Sequence, residues 1–214
     1  DREPHFRIEG DPGKKELIHI SREDARHAWK MEFGTEEYLA VCNYPIVEEG
    51  GSCKVLFRTG ETEELEIRVY PELPTVPRGF VKTGNEGIFT ISRNTPSCNL
   101  QKEEKQSSDE ECRYRIELDY AEETEAEDVF LKLDYVGESL ELFIDGKKEG
   151  DHFYTGQIWE IGLKRFGFPE NVDITVHRLK RDMPVYLEQW PDLPEEGACR
   201  ISRLTAEAEY KLFF

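Results

Sequence analysis

The sequence predicts an all-β protein, in which an antiparallel β-sandwich of the jelly-roll kind follows a smaller β-rich module. The first observation is period-2 alternation: the segment 129–135 places four apolar side chains on one strand face, and the runs 140–144, 159–163 and 172–176 repeat the pattern. The second is Asp145-Gly146 between two such runs, which favours a type I′ hairpin turn. The third is the scarcity of long helical periodicity. Strands of this length with short turns are typical of sandwiches and jelly rolls.

A proline cluster suggests where the two modules meet. Pro71, Pro74 and Pro77 interrupt any strand, because proline has no backbone N–H for a sheet ladder. We therefore predict a small β-rich module over residues 1–75 and the jelly-roll-like module over residues 76–214.

The first module contains one predicted helix among its strands. Ser21 is the expected N-cap, Asp24 occupies the third helical position, and Ala25, Ala28 and Trp29 form the inner side. The strand-like runs around this helix are His5–Glu9, Glu16–Ile20, Tyr38–Cys42, Cys53–Arg58 and Leu65–Tyr70.

The second module begins with short strands and polar segments. Strands are expected at 87–93 and 114–118. The segment Gln101–Glu111 is so rich in charged and polar residues that we predict a solvated, mobile loop. A second acidic connector is expected at 122–128.

Charge and hydropathy limit the partners. The net charge of −18 argues against nucleic acid, whose affinity depends on Lys and Arg contacts with phosphates, and also against anionic membrane surfaces. No apolar run reaches the roughly 20 residues that span a bilayer, so no membrane segment is predicted. Neutral glycans or a basic protein partner stay open, and solubility alone is the simplest explanation of the acidity.

Five cysteines, at positions 42, 53, 98, 112 and 199, show no Cys-x-x-Cys pattern. We expect reduced structural thiols in a cytoplasmic protein, with at least three thiols free. If the protein is exported, Cys98–Cys112 is the best disulfide candidate, because these residues bracket a polar segment. The chain begins Asp-Arg-Glu-Pro without a signal-peptide pattern, which suggests a fragment of a longer protein.

Catalytic and metal chemistry receive little support from the sequence. With 46 acidic residues, a carboxylate pair for glycoside cleavage can always be chosen on paper, and Glu160, beside Trp159, is the first to examine. The histidines lack paired metal-ligand spacing. We predict no cofactor, although structural calcium at Asp145 or Asp151 stays open, since carboxylate oxygens are ligands for calcium.

The corner at residues 151–160 combines aromatic rings with hydrogen-bonding groups, which is the chemistry that recognises sugars. The candidate carbohydrate-binding residues are His152, Tyr154, Gln157, Trp159 and Trp190. Strand parity offers another interpretation, in which Trp159 faces the core and the pair 153–154 forms a plug. Trp190 lies outside any strand pattern and is expected to be exposed, either to a ligand or as an anchor for a further domain.

Two longer segments resemble a known family. The run VFLKLDYVGESLELFIDGKKEGDHFYTGQIWEIGLKRFG, followed by RDMPVYLE, is similar to the C-terminal β-sandwich region of bacterial β-galactosidase-like glycoside hydrolases, family 35 in particular. ISREDARHAWKMEFGTEEYLAV resembles the stretch that follows the catalytic barrel in such proteins. The resemblance covers 128–188 well and 17–73 more loosely. It implies a non-catalytic accessory portion of a carbohydrate-active enzyme.

Three functions are compatible with these observations. The chain could be a carbohydrate-binding module for a neutral β-glucan or galactoside. It could be an architectural domain that braces the catalytic barrel of its parent enzyme or an oligomer interface. It could also contribute loops to a composite active site. In each case we expect the chain alone to cleave no glycoside.

Overall fold

The structure is a computed structural model that describes residues 5–9, 14–33, 35–49, 52–59, 63–84, 87–93, 98–120 and 126–213. Strands dominate these ranges, and the helices among them are two short 3-10 turns at Asp24–His27 and Lys164–Phe166. The predicted all-β class is confirmed. Within the same ranges, no helix has the length and apolar character needed to cross a membrane.

The chain forms two compact units that interleave in sequence. The first comprises Asp1–Phe57, Thr62–Asn94 and Tyr210–Phe214, and the second comprises Arg58–Glu61 and Thr95–Glu209. Residues 76–94 therefore belong with the first unit. The domain boundary between residues 75 and 76 stays a prediction.

Within the described ranges, nine strands begin in the first unit. They are β1 (His5–Glu9), β2 (Lys14–Ile18), β3 (Ala28–Phe33), β4 (Glu36–Val41), β5 (Ile46–Glu49), β6 (Ser52–Thr59), β7 (Glu63–Tyr70), β8 (Val81–Thr83) and β9 (Ile88–Arg93). β1 pairs with β2 and β5 with β6, while a five-stranded antiparallel sheet has the order β3-β4-β7-β9-β8. Ile67 faces Phe89 across the β7–β9 pair, and both side chains are buried.

The predicted helix in this unit is only partly correct. The Asp24 N–H donates to Ser21 Oγ at 2.9 Å, and the Ser21 hydroxyl donates to the Asp24 carboxylate at 2.8 Å, but the N-cap of the helix is Glu23 and not Ser21. The helix is a single 3-10 turn, however, and Ala28 and Trp29 begin β3. Pairing with β4 supplies the backbone hydrogen bonds that a longer helix would have formed internally.

Eight further strands lie in the described part of the remaining chain. They are β10 (Cys98–Ser107), β11 (Glu111–Tyr120), β12 (Asp128–Val136), β13 (Ser139–Ile144), β14 (Lys147–Phe153), β15 (Trp159–Gly162), β16 (Asn171–His177) and β17 (Arg200–Phe213). β17 passes from the second unit into the first.

The second unit has jelly-roll topology. One sheet has the order β10-β11-β16-β13-β14, and the other contains β15-β12-β17 in that order. From β11 onward the chain alternates between the sheets, apart from the hairpin β13–β14. The antiparallel pairs are nested: β13 with β14, β12 with β15, and β11 with β16. This nesting is what folding a long hairpin over itself produces, and it confirms the predicted sandwich class.

The core of this unit lies between its two sheets. Side chains from β11, β13 and β16 on one sheet and from β12, β15 and β17 on the other form a single buried cluster. Leu131, Leu133, Leu140 and Val176 are fully buried within it. A smaller cluster around Val136, Leu179, Leu193 and Ala198 lies beside the main core. The period-2 pattern therefore identifies the inner face of β12, β13, β15 and β16 correctly.

The β13–β14 hairpin turns as predicted. Asp145 has φ 50° and Gly146 has φ 77°, which are the two positive values that a type I′ turn requires. Glycine has no Cβ and reaches this region without strain, which explains the Asp-Gly pair.

The prediction of a mobile loop over Gln101–Glu111 is wrong. β10 continues to Ser107 and pairs with β11 throughout, so that only Ser108–Glu110 form the turn. β10 is an edge strand whose side chains are almost all exposed beyond Leu100. Its polar sequence lacks the apolar alternation that indicates a strand. Backbone hydrogen bonds with β11 stabilise β10 in place of buried apolar side chains.

The predicted Cys98–Cys112 disulfide is also wrong. Cys98 pairs with Tyr120 and Cys112 with Ser107, at opposite ends of the β10–β11 hairpin. Eight residues of extended strand span about 26 Å, at roughly 3.3 Å per residue, which no disulfide can bridge. Cys112 is instead bonded to Cys199, with their Cα atoms 5.8 Å apart.

The other cysteines, Cys42, Cys53 and Cys98, are free and buried, which confirms the expected number of free thiols. Burial raises the pKa of Cys42 and of Cys98 to about 11, so these thiols are poor nucleophiles at neutral pH. The Cys112–Cys199 bond is an exception to the reduced thiols that we expected, and the cytoplasmic location stays a prediction.

Candidate functional site

The predicted corner lies at an open edge of the sandwich, where β14 and β15 are the last strands of their sheets. His152 pairs with Leu140 and Trp159 with Leu133, and both leucines are fully buried. The two aromatic rings therefore turn inward and stack, with centroids 5.4 Å apart and planes at 17°. Trp159 packs against the main core, as its strand parity predicts, and the stacked pair closes this edge of the sandwich.

Tyr135 holds the stacked pair of His152 and Trp159 in place from the core side. Its side chain is only 1% exposed, and its hydroxyl lies 2.9 Å from both the His152 carbonyl oxygen and His152 Nδ1. A hydroxyl has one proton, so the arrangement is satisfied when Tyr135 Oη donates to the carbonyl and His152 Nδ1–H donates to Oη. Burial raises the pKa of Tyr135, which keeps the phenol protonated.

The imidazole of His152 should make stability depend on pH. Burial lowers the pKa of His152 from its ordinary value of 6.5, so the unfolded chain binds this proton more readily than the folded chain. The free energy of unfolding should therefore fall as the pH drops from 6.5 through the folded-state pKa. Denaturant titrations of the parent and of His152→Gln across this range measure the effect, since the variant should lose this part of the pH dependence. Identical profiles would contradict it.

The remaining predicted residues are dispersed around this edge. Tyr154 is half-buried, packs against both core clusters and contacts Tyr135 at 5.6 Å between centroids. Gln157 is exposed. Trp190 is 37% exposed, as its position outside the strands predicts. The proposed plug at 153–154 is correct for Tyr154 only, because Phe153 is 73% exposed.

Phe153 lies on a different surface, which is the outer face of the sheet β10-β11-β16-β13-β14. Side chains on this face come from the positions between the core residues. One row across the sheet reads Gln106, Arg113, Thr175, Glu141 and Asp151, each paired with the next on the neighbouring strand. Phe153 follows Asp151 by two residues on β14, so it points to the same side.

A polar network runs beside Phe153 on this face. Lys148 Nζ donates to Glu141 at 2.7 Å and lies 2.9 Å from the Asp151 carboxylate. His177 lies between two carboxylates, with Nε2 3.4 Å from Glu141 and Nδ1 3.8 Å from Glu111. The hydrogen bond from Lys148 lowers the pKa of Glu141, and His177 adds to the effect.

This network borders a groove of about 380 Å³ on the outer face. Arg113, Glu141, Phe143, Asp173 and Thr175 are among its lining residues. The volume falls within the range of small-molecule sites. We call this groove and the neighbouring Phe153 the outer-face groove.

Ion pairing offsets most of the carboxylate charge at the outer-face groove, with three basic side chains for four carboxylates. Every carboxylate of the network is ion-paired with a basic side chain. The pairs are Glu111 with Arg113, Asp173 with Arg115, and both Glu141 and Asp151 with Lys148. Such a surface offers many hydrogen-bond donors and acceptors without a strong field of one sign.

Glu160, the carboxylate chosen from the sequence for possible catalysis, lies on the other sheet. It is ion-paired with Arg58 at 3.2 Å and with Lys132 at 3.3 Å. Arg58 also binds Glu209 at 2.9 Å, and Lys132 binds Glu207 at 2.7 Å. Glu160 is therefore part of an ion-pair ladder along the sheet surface.

Metal ligands do not converge in the part of the chain that the structure describes. No group of three or more His, Cys, Asp or Glu side chains comes together there. Asp145 has a sufficient structural role in the hairpin turn. Structural calcium stays a prediction.

Comparison with known proteins leaves the family open. No protein-family model matches the chain, and no curated protein matches it either. The resemblance to β-galactosidase-like enzymes stays a prediction that depends on the quoted segments alone.

Proposed function

We propose that the chain is a non-catalytic accessory module of a carbohydrate-active enzyme and that it binds a neutral glycan at the outer-face groove. The observation that supports this most is the exposed ring of Phe153 on the same sheet face as a groove lined by ionic side chains and Thr175. Sugar rings present C–H faces that pack on aromatic rings, and their hydroxyls both donate and accept hydrogen bonds.

The contact surface that we propose differs in part from the corner predicted from the sequence. His152, Tyr154 and Trp159 are half-buried and serve the sandwich edge, so we assign them to supporting the strand that carries Phe153. Gln157 and Trp190 are accessible and keep their proposed role as additional contacts. Phe153 takes the role of the exposed aromatic platform.

The neutral character of the ligand follows from the charges. The paired groups of the groove do not favour an anion, and the net charge of −18 repels uronic acids and sulfated sugars at a distance. Affinity should be low, because an open groove buries little ligand area and sugar hydroxyls must lose water on binding.

Removing the Phe153 ring should weaken glycan binding. We expect Phe153→Ala to raise the dissociation constant about tenfold, since one aromatic contact contributes roughly 1 kcal/mol or more. Affinity electrophoresis on a panel of β-glucans and galactans measures the change. Because Phe153 is largely exposed, the variant should keep the thermal stability of the parent.

The matched control is Tyr186→Ala, which removes an aromatic ring that is 90% exposed on the irregular segment after β16. This variant should bind as the parent does. Phe89 is unsuitable as a control, because its side chain is only 1% exposed and its truncation would test folding. If no glycan retards the parent, while the chain binds the catalytic remainder of its enzyme, the architectural alternative replaces this proposal.

A further inference from the structure

A second groove lies on the same face of the same sheet, at the opposite ends of β11 and β16. Its volume is about 570 Å³. Its lining includes three residues with side-chain amides, Asn99, Gln101 and Asn171, together with Tyr120. We call it the amide groove.

The amides face outward in adjoining rows of the sheet. Gln101 pairs with Glu117, and Glu117 pairs with Asn171 on the next strand. Asn99 pairs with Asp119 in the neighbouring row. Within the described ranges, the amide groups of Asn99, Gln101 and Asn171 are exposed and have no side-chain hydrogen bond. Each can therefore offer both a donor and an acceptor to a ligand without breaking an existing contact.

The two grooves lie in line along the strands. Thr175 lines the outer-face groove and Asn171 the amide groove, four residues apart on β16, which is about 13 Å of extended strand. Along β16 between these two residues is Asp173, which also lines the outer-face groove and is ion-paired with Arg115, whose Nε donates to the carboxylate at 3.1 Å. The spacing from Thr175 to Asn171 is longer than one pyranose ring, so a single sugar cannot contact both residues.

The lining of the amide groove excludes acidic sugars. Glu117, Asp119 and Glu170 line it, and no Lys or Arg is among its lining residues in the described part of the chain. A uronic acid or a sulfate placed there would meet three carboxylates with no compensating cation. Sugar hydroxyls, by contrast, can donate to carboxylates and exchange hydrogen bonds with amides.

We infer that the ligand is an extended neutral oligosaccharide that lies along β11 and β16, with one part in the outer-face groove and another in the amide groove. This inference rests on the proposed function. It identifies the substrate class as an internal stretch of a linear, uncharged chain, and it assigns Asn171 and Gln101 to binding. The Arg115–Asp173 pair lies under the middle of the ligand.

The test is a length series of unsubstituted β-1,4-linked gluco-oligosaccharides and galacto-oligosaccharides, from monosaccharide to hexasaccharide, with oligogalacturonates as the charged comparison. Affinity should rise with chain length until both grooves are filled. Asn171→Ala should weaken binding of the long members about tenfold, which corresponds to about 1.4 kcal/mol, because it removes the hydrogen bonds of this amide with the ligand. It should leave the short members unchanged, whereas Phe153→Ala should weaken both.

Gln189→Ala is the matched control, since it removes an exposed amide on the irregular segment after β16. Equal affinity for short and long members, or no effect of Asn171→Ala on the long ones while Phe153→Ala still weakens them, would overturn the extended site and leave the proposed function standing. Preference for oligogalacturonates would overturn the neutral class. Failure of every sugar to bind would remove the proposed function together with this inference.

Discussion

Removing the Cys112–Cys199 disulfide should lower the free energy of unfolding by about 4 kcal/mol. In the chain-entropy treatment, the stabilisation grows with the length of the closed loop, and this bond separates its cysteines by 87 residues. It also ties β11 of one sheet to the start of β17 in the other, so it crosses the core of the second unit. A loss of this size is a large part of the stability of an ordinary domain.

The measurement is a denaturant titration of the parent and of the double variant Cys112→Ala/Cys199→Ala. Cys98→Ala serves as the control, because it removes a buried thiol from the same core and leaves the disulfide intact. Thiol titration of the denatured, non-reduced parent should find the three free cysteines, and all five should react after reduction. Five reactive thiols before reduction would show that the bond does not form.

The inner faces of the sandwich strands could be predicted from sequence because burial imposes period 2. The alternating runs in β12, β13, β15 and β16 face the core as expected, and the Asp145-Gly146 turn fixes one hairpin. β10 could not be predicted, because an edge strand exposed on both sides needs no apolar pattern. Its polar sequence is compatible with a loop or with a strand, and only pairing with β11 decides between them.

The Cys112–Cys199 pairing could not be predicted from the sequence for a related reason. Residues far apart in the chain meet only once the sheet order is known, and proximity in sequence favoured Cys98 instead. The register of the β10–β11 hairpin places Cys98 and Cys112 at opposite ends, which no spacing rule reveals.

The candidate site was predictable only in part. Aromatic density pointed to one edge of the sandwich, but it could not separate rings that close the core from rings that face solvent. The same alternation that places Ile174 inside also places Asp173 and Thr175 outside. These two lining residues of the groove could therefore be assigned to the outer face from the sequence. A bulge between Leu142 and Phe143 shifts the β13–β14 register, and this shift turns Asp151 and Phe153 to the outer face.

Truncating Tyr135 should be among the most destabilising single changes in the second unit. Tyr135→Ala should lower the free energy of unfolding by about 3–5 kcal/mol, because it leaves a cavity under the stacked pair of His152 and Trp159. Tyr135→Phe keeps the ring and removes only the hydroxyl. It should cost about 1–2 kcal/mol, since the carbonyl of His152 then loses its donor.

Comparing these two variants separates packing from hydrogen bonding, and it also tests the role assigned to the corner. If the corner supports the strand that carries Phe153, Tyr135→Phe should remain folded and bind glycan nearly as the parent does, while its stability falls. Denaturant titration and affinity electrophoresis on the same samples give both quantities. If Tyr135→Phe keeps full stability and loses binding, the ring pair of His152 and Trp159 would be a ligand contact in its own right. The binding site would then lie at the sandwich edge, where the sequence first placed it, because only a ligand held directly by these rings would respond to their orientation while the fold did not.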